Sequence, residues 1–376
     1  MRFNTLTGAC AAIRPRAAAT VCVGALALSV GTAAHAADVT LYGLIDTGIA
    51  ANYVAGSGSR VGTQDGGESD SRFGLRGTED LGRGNSVRFE LESGFNPTTG
   101  TSHDRNRLFN YGAWVGLNNA QLGEVRFGRQ RSVGQQFGDS LEIAGWKDYG
   151  LGATFRASDE YQMDNVINYF SPSMHGLRVG VGYSFGARGQ GRTTRDADRA
   201  LSVGLKYESG AWGAIATVDT MWLDRNKGKI QPRAYQLGAS YDFQPIKVAL
   251  GWSRQENGFL GLNGGDYLAG TTAGVNGLGA QPFVQGGAID AYYVGASAPI
   301  GAGTLSAQIS AVVPDWDKGG YSRPGQVYSL GYAYPMSKRT NLYAYAGHMK
   351  NVDADTVLVK RKSESYRAAV GIKHVF

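Results

Sequence analysis

Two stretches of the sequence carry residue types that perform chemistry in other proteins. The first, GDSL at residues 138–141, offers Ser140 as a nucleophile of the hydrolase type. Such a nucleophile needs a base and an orienting acid within reach. No Asp-x-x-His motif follows near the C-terminus, and the His residues are widely scattered along the chain. We therefore interpret the motif as a chance occurrence and expect no enzyme.

The second stretch, DWDKGG at residues 315–320, begins like a calcium-binding loop. Such a loop has Gly at its sixth position and a bidentate Glu at its twelfth. Here Gly319 at the fifth position is followed by Gly320 at the sixth, but Gln326 replaces the Glu at the twelfth, which favours a solvated turn; weak divalent-cation binding by surface acids stays open. The sequence contains no phosphate-binding loop, no Cys/His cluster and no dinucleotide fingerprint, so it predicts no cofactor.

The composition narrows the classes of fold that remain. Aromatic residues make up 11% of the chain, which supplies more apolar surface than disordered chains carry. The 56 glycines follow no three-residue period, which excludes a collagen-like helix. Beyond the N-terminus, no stretch approaches the roughly 18 uninterrupted apolar residues that a transmembrane helix needs.

Residues 1–36 have the pattern of a cleaved secretory signal peptide. Arg2, Arg14 and Arg16 form a positive region, residues 17–30 are apolar, and Ala34-His35-Ala36 is a small-x-small cleavage site. A membrane anchor is the alternative, but the apolar run is short for one. Cleavage after residue 36 removes both cysteines and lowers the formal net charge of +6 by three. The remaining charge is too small to suggest nucleic-acid binding.

The rest of the chain, residues 37–376, reads as short segments in which apolar and polar residues alternate. One example is Leu201, Val203, Leu205 and Tyr207, interleaved with Ser202, Gly204 and Lys206. This period of two is typical of strands with one apolar and one polar face. We count about sixteen such segments, joined alternately by tight turns and long loops, a pattern that predicts an up-and-down meander. The long connections cover roughly 55–70, 134–164, 187–199, 223–232, 259–287 and 351–362.

A soluble sandwich would also alternate, so the position of the aromatic residues decides between the two folds. Trp212, Trp222, Trp252, Tyr334 and Tyr366 lie near strand ends, where transmembrane barrels place their interfacial girdles. The polar faces carry Gly, Ser, Thr, Arg and Lys, which suit a wet lumen. Strands between lipid and water satisfy their backbone groups only by closing into a barrel. The sequence therefore predicts an all-β, antiparallel transmembrane β-barrel.

Several ordered motifs go beyond this pattern. They are VTLYGLIDTGI at 39–49, SRFGLRGTEDLGRGNSVRFELESGF at 71–95, AWVGLNN at 113–119, GEVRFGRQ at 123–130 and GIKHVF at 371–376. Together they resemble the general porins of Gram-negative outer membranes, of the neisserial, β-proteobacterial type. The resemblance implies a sixteen-stranded barrel, a homotrimer among outer-membrane lipids and lipopolysaccharide, and passive diffusion of ions and small hydrophilic solutes. It also implies that Phe376 is the C-terminal assembly signal; a plain final hydrophobic strand is the alternative.

In this family a long loop folds into the lumen and narrows it, and here that loop would span about 134–164. Strand parity places basic residues on the inward face, so the resemblance and the parity together predict a basic wall opposite an acidic loop. The wall residues are Arg72, Arg76, Arg88, Arg126 and Lys373, and the loop acids are Asp139, Glu142 and Asp148. Such opposed charges create a transverse field that favours polar solutes. For each charge, a solvated lumen residue without special influence is the alternative.

Two observations weaken the expected anion preference. Glu90 and Glu92 share the inward face of Arg88, and Tyr111 stands where related porins carry an Arg in the pattern F-x-R-x-A. We therefore expect weak anion preference at most. A substrate-preferring channel with a weak solute site in the narrow part is the alternative within transport, and a barrel enzyme or adhesin is the alternative outside it. Asp65, Glu68 and Asp70 are interpreted as solvated charges of the first long loop.

Overall fold

The computed structural model describes residues 38–56, 58–146, 149–150, 162–187, 199–222, 231–256, 288–315, 324–351 and 364–376. The signal peptide predicted at 1–36, Asp148 and residues 316–320 of the calcium-like stretch lie outside these ranges. Within the described residues, no helix has the length and apolar character needed to span a membrane.

The described chain is almost entirely β-structure. Its strands are β1 (Asp38–Val54), β2 (Gly58–Asp65), β3 (Arg72–Gly82), β4 (Asn85–Asn96), β5 (Thr101–Ser102), β6 (Gly112–Asn119), β7 (Gly123–Arg131), β8 (Gln162–Phe170), β9 (Leu177–Ser184), β10 (Arg199–Ser209), β11 (Trp212–Trp222), β12 (Arg233–Asp242), β13 (Lys247–Glu256), β14 (Ala288–Ile300), β15 (Gly303–Asp315), β16 (Gly325–Pro335), β17 (Thr340–Lys350) and β18 (Glu364–Val375). One short helix, α1 (Val133–Gly138), and a 3₁₀ turn (Asp139–Leu141) interrupt them.

Sixteen antiparallel strands close into a barrel, as predicted. Each strand pairs with the next along the chain, and β18 pairs with β1 from Leu44↔Val375 to Val54↔Ser365. The remaining two strands, β2 and β5, do not widen the ring. β2 pairs with the same edge of β1 as β3 does, but further along β1. β5 pairs only with the end of β4. Closure leaves no unpaired sheet edge in this ring, which is the condition for a barrel in lipid.

The outer face is apolar and the inner face is polar. On β1, Leu41, Ile45 and Ile49 are exposed on the outside, and Asp46 between them points inward and is fully buried. An aromatic cluster of Trp212, Tyr241 and Phe243 lies at the short-turn end, with ring centroids 4.5 and 4.6 Å apart. Tight turns keep this end compact, as at Gly210, where φ is +58° in the turn between β10 and β11. These features are those of strands in contact with lipid outside and water inside.

The first predicted long loop, 55–70, differs from the structure. The chain turns at residues 55 and 56 and is back in the sheet at Gly58 as β2, which pairs with β1 from Thr47↔Asp65 to Val54↔Gly58. Residues 66–71 then leave the sheet before β3 resumes pairing with β1 at Arg72↔Leu44. We call residues 66–71 the inner segment. The alternation in β2 is weak, with Gly, Ser and Arg in place of apolar residues, which explains why the sequence favoured a loop.

Candidate pore lining

The described part of the 134–164 loop begins with α1, which is fixed to the inward face of β10 and β12. The Ser132 hydroxyl caps the helix by accepting from the Gln135 amide at 3.1 Å. The Gly134 amide donates to the Ser202 hydroxyl at 2.9 Å, and the Gln236 side-chain amide donates to the Gly134 carbonyl at 2.9 Å. These bonds satisfy helix-end groups that would otherwise be left without partners inside the barrel.

Apolar side chains of this loop fill spaces that inward-facing glycines leave on the wall. Val133 and Phe137 lie against Gly204, and Leu141 lies against Gly238. A Cβ atom on either glycine would collide with these side chains. Val133, Phe137 and Leu141 are 0%, 3% and 1% exposed, so they pack as a small core between loop and wall. Packing of this density holds the loop in one position.

Beyond the 3₁₀ turn, the loop continues along the wall to β17. The Ile143 amide donates to the Tyr293 hydroxyl at 3.2 Å, and the Gln308 side-chain amide donates to the Ala144 carbonyl at 2.7 Å. The Trp146 ring stacks on Tyr345 with a centroid distance of 5.3 Å and an interplanar angle of 13°. Residues 132–146 therefore line the inner wall from β9 to β17.

The loop acids are placed differently from one another. Glu142 is exposed, and its carboxylate lies beside Gly145 and Gly150 of the same loop. Asp139 is also exposed, but its Oδ2 lies 2.6 Å from an Arg131 guanidinium nitrogen, which compensates its charge. Asp148 lies outside the described residues. The Ser140 hydroxyl donates to the Phe137 carbonyl at 2.7 Å.

Three of the four wall arginines form ion pairs with wall glutamates. Arg72 Nε lies 3.3 Å from Glu92 Oε2. Glu124, which is 3% exposed, accepts from Arg88 at 3.3 Å and from Arg126 at 2.7 Å. The Arg126 guanidinium also lies 4.4 Å from the centre of the Trp114 ring, a cation–π geometry. Much of the positive charge on this wall is therefore neutralised locally.

Arg76 is the exception among these four. Its side chain is exposed, and its guanidinium lies 4.7 Å from the centre of the Tyr42 ring. It forms no ion pair with any of the residues that the structure describes. Arg76 therefore contributes a positive charge to the inner wall without a direct ion pair, although Glu90 lies opposite it in the register of β3 and β4.

The inner segment is held against the wall by Asp46, a residue that the sequence did not single out. Asp46 Oδ2 accepts from the Glu68 amide at 2.8 Å and from the Ser69 amide at 2.9 Å. Its Oδ1 accepts from the Tyr343 hydroxyl at 2.6 Å. Strand parity places this acid on the inward face of β1, and that is the signal that would have identified it.

Glu68 and Asp65 are not solvated loop charges, and that interpretation was wrong. The Glu68 carboxylate lies 2.6 Å from Lys373 Nζ, and the Asn341 side-chain amide also donates to it. Asp65 lies 2.9 Å from His103 Nε2. The same histidine contacts Tyr111, the residue discussed above in the F-x-R-x-A pattern. Tyr111 precedes β6, and its hydroxyl lies 2.8 Å from His103 Nδ1.

Together, a closed barrel with an apolar outer face, a charged inner face and an internal loop defines a transmembrane channel of the outer-membrane type. Within the described residues, no group of His, Cys, Asp and Glu is arranged to hold a metal ion. Residues 18–354 match the family model described as Gram-negative porin, and the chain belongs to that family. It is accordingly an outer-membrane channel protein and not an enzyme.

Individual relatives agree with this assignment. An outer membrane porin of Bordetella pertussis is 36% identical, with 92% of this chain and 96% of the relative aligned. Outer membrane porin protein 32 of Delftia acidovorans is 29% identical over the same shares of the two chains. The solved anion-selective porin from Comamonas acidovorans superposes with a TM-score of 0.68 at 25% identity, covering 91% of this chain and all of the other.

Proposed function

We propose that this porin is a general diffusion channel for ions and small hydrophilic solutes, narrowed by the 134–164 loop and with weak anion preference at most. The supporting observation is the path of residues 132–146 along the inner wall from β9 to β17. Arg72, Arg76 and Arg88 lie on β3 and β4, outside this path, and Arg126 of β7 donates to the Gln136 side-chain oxygen of α1 at 3.5 Å.

The charges along this passage support a weak preference. Arg76 and the exposed Glu142 of the loop contribute opposite charges to the lumen, which orders water and favours polar solutes. The ion pairs of Arg72, Arg88 and Arg126 reduce the net positive potential. A relative from Comamonas acidovorans is described as anion-selective, and we expect the same sign of preference here at lower strength.

We also propose that the channel is a homotrimer surrounded by outer-membrane lipids and lipopolysaccharide. Small exposed side chains on the outer face of β17 and β18, namely Ala344, Ala346 and Ala368, allow a second subunit to approach closely. One solved barrel of the same fold, from Vibrio cholerae, is described in a trimer form.

Planar-bilayer recordings on detergent-purified protein test this function. We expect stepwise openings in groups of three and a zero-current potential in a salt gradient that indicates modest anion preference. Arg76→Gln should shift the potential toward cations, because it removes the unpaired wall charge. The charge-balanced double variant Arg72→Gln/Glu92→Gln is the matched control and should leave the potential nearly unchanged.

Two results would overturn the proposal. Folded, heat-modifiable protein without conductance would indicate a plugged barrel or one that does not form a channel. Saturable block of conductance by a single class of solute would favour a substrate-preferring channel instead of a general one.

A further inference from the structure

The barrel contains a second internal segment besides residues 132–146. The inner segment leaves the sheet at Gly66, whose amide donates to the Asp46 carbonyl at 3.0 Å and whose φ is +72°. The Ser71 hydroxyl accepts from the Asp46 amide at 3.0 Å where the segment rejoins β3. Both ends of the inner segment are thus bonded to one inward-facing residue of β1.

The centre of the inner segment lies on the inward faces of β17 and β18. Gly67 lies against the Tyr343 hydroxyl, where a Cβ atom would collide with the ring. Glu68 reaches Lys373 on β18 and Asn341 on β17. The side chains of Glu68 and Lys373 are 11% and 24% exposed, so the pair is only partly shielded from water in the lumen.

The two internal segments meet at Glu68. The Glu68 carbonyl lies against Gly145 of the loop, where a Cβ atom would collide with it. Trp146, next in sequence, packs on Tyr343 and Tyr345. Tyr345 donates to the Gln64 side-chain oxygen at 3.2 Å, just before the inner segment begins. The inner segment therefore extends the internal lining from the end of the loop to β1.

We propose that the narrow part of this channel is formed by two segments, residues 132–146 of the long loop and the inner segment, and that Glu68 sets the ion preference by neutralising Lys373. This inference rests on the proposed diffusion function. Lys373 lies on the inner wall, and without Glu68 its charge would add to that of Arg76. With Glu68 present, the pair contributes no net charge to the passage.

The physical reason is the weak screening in a narrow passage with low-dielectric walls. There, one uncompensated charge changes the local concentration of counter-ions far more than it does on an open surface. The Asp46 hydrogen bonds fix the backbone of residues 68 and 69, so the Glu68 carboxylate is held beside Lys373 in one position. The compensation is thus part of the folded structure.

Zero-current potentials of four proteins test the inference: wild type, Glu68→Gln, Lys373→Met and the double variant. Gln keeps the shape of Glu68 and an oxygen that accepts from Asn341. We expect Glu68→Gln to raise the ratio of chloride to potassium permeability about twofold, since it exposes one luminal charge, and Lys373→Met to lower it about twofold. The double variant should return to the wild-type ratio.

The controls separate this inference from the porin function itself. If Arg76→Gln shifts the potential but both single variants of the pair leave it unchanged, the pair lies outside the current path and the inference is wrong. If wild-type protein does not conduct, the diffusion function fails first. Should Glu68→Gln not fold into the heat-modifiable form, Lys373→Met decides alone, because it leaves Glu68 uncompensated and must shift the potential toward cations.

Discussion

Phe376, the last residue of the chain, exchanges two backbone hydrogen bonds with Gly43 across the seam that closes the barrel. The Phe376 amide donates to the Gly43 carbonyl at 3.0 Å, and the Gly43 amide donates to the Phe376 carbonyl at 3.2 Å. The Phe376 ring covers Gly43 on the side where a Cβ atom would project. Phe376 therefore contributes to the seam that closes the barrel.

Removing Phe376 should impair closure of the barrel. The deletion loses two backbone hydrogen bonds, worth about 1 kcal/mol each, together with the ring contact over Gly43. We expect a smaller fraction of heat-modifiable protein on a gel after refolding, and a lower temperature for loss of the folded band. Phe376→Ala should have an intermediate effect, because it keeps the backbone bonds.

Ile372→Ala is the matched control for this experiment. Ile372 is 43% exposed on the outer face of the same strand and lies away from the last pair of residues. Equal loss of folded protein in both Ala variants would show that general apolar surface, and not the seam contact of Phe376, explains the effect.

Trp146→Ala should release the end of the loop from the wall. Trp146 is 2% exposed and occupies the space over Gly331 and Tyr345. Truncating a buried Trp typically removes about 3–5 kcal/mol of stabilisation. The neighbouring hydrogen bonds between Ala144 and Gln308 contribute less than this to holding the loop on the wall. We expect greater open-channel current noise and closure at lower voltage in single-channel recordings. Trp212→Ala, which removes a 59% exposed ring at the outer girdle, should leave the noise unchanged.

Asp164→Asn should loosen the chain around residues 97–111. Asp164 pairs with Arg107 at 2.8 Å and with Arg129 at 2.7 Å, so it joins this connection to the base of the 134–164 loop. If the free energy of local opening of residues 97–111 falls by on the order of 1.4 kcal/mol, the open form becomes roughly ten times more populated. Trypsin cleavage after the exposed Arg105 should then rise roughly tenfold. The rate of cleavage in intact detergent-solubilised protein measures the effect.

Asp104→Asn provides the comparison for that cleavage experiment. It breaks only the exposed Arg107–Asp104 pair, which spans three residues of the same connection and contributes little. Equal cleavage rates in the two variants would mean that Asp164 does not hold residues 97–111 in place.

The fold was predictable from the sequence because the period-two pattern is a local property. Sixteen strands, their closure and the outer apolar face follow from alternation and turn positions, and the barrel confirms them. Strand parity also placed Arg72, Arg88, Arg126 and Lys373 on the inward face, where the structure has them. Their role in narrowing the pore stays a prediction.

The sequence by itself thus determined the class of fold and the face on which each strand residue lies, because successive side chains of a strand alternate whatever the strand pairs with. Only the tertiary structure decided which charges compensate one another. Asp46 and Tyr343 are 297 positions apart, and Glu68 meets Lys373 only because β18 closes on β1. Contacts of this kind depend on the register and closure of the whole barrel, which no local pattern encodes. For that reason Arg76 emerged as the unpaired wall charge, and the inner segment as a second lining, only once the barrel was closed.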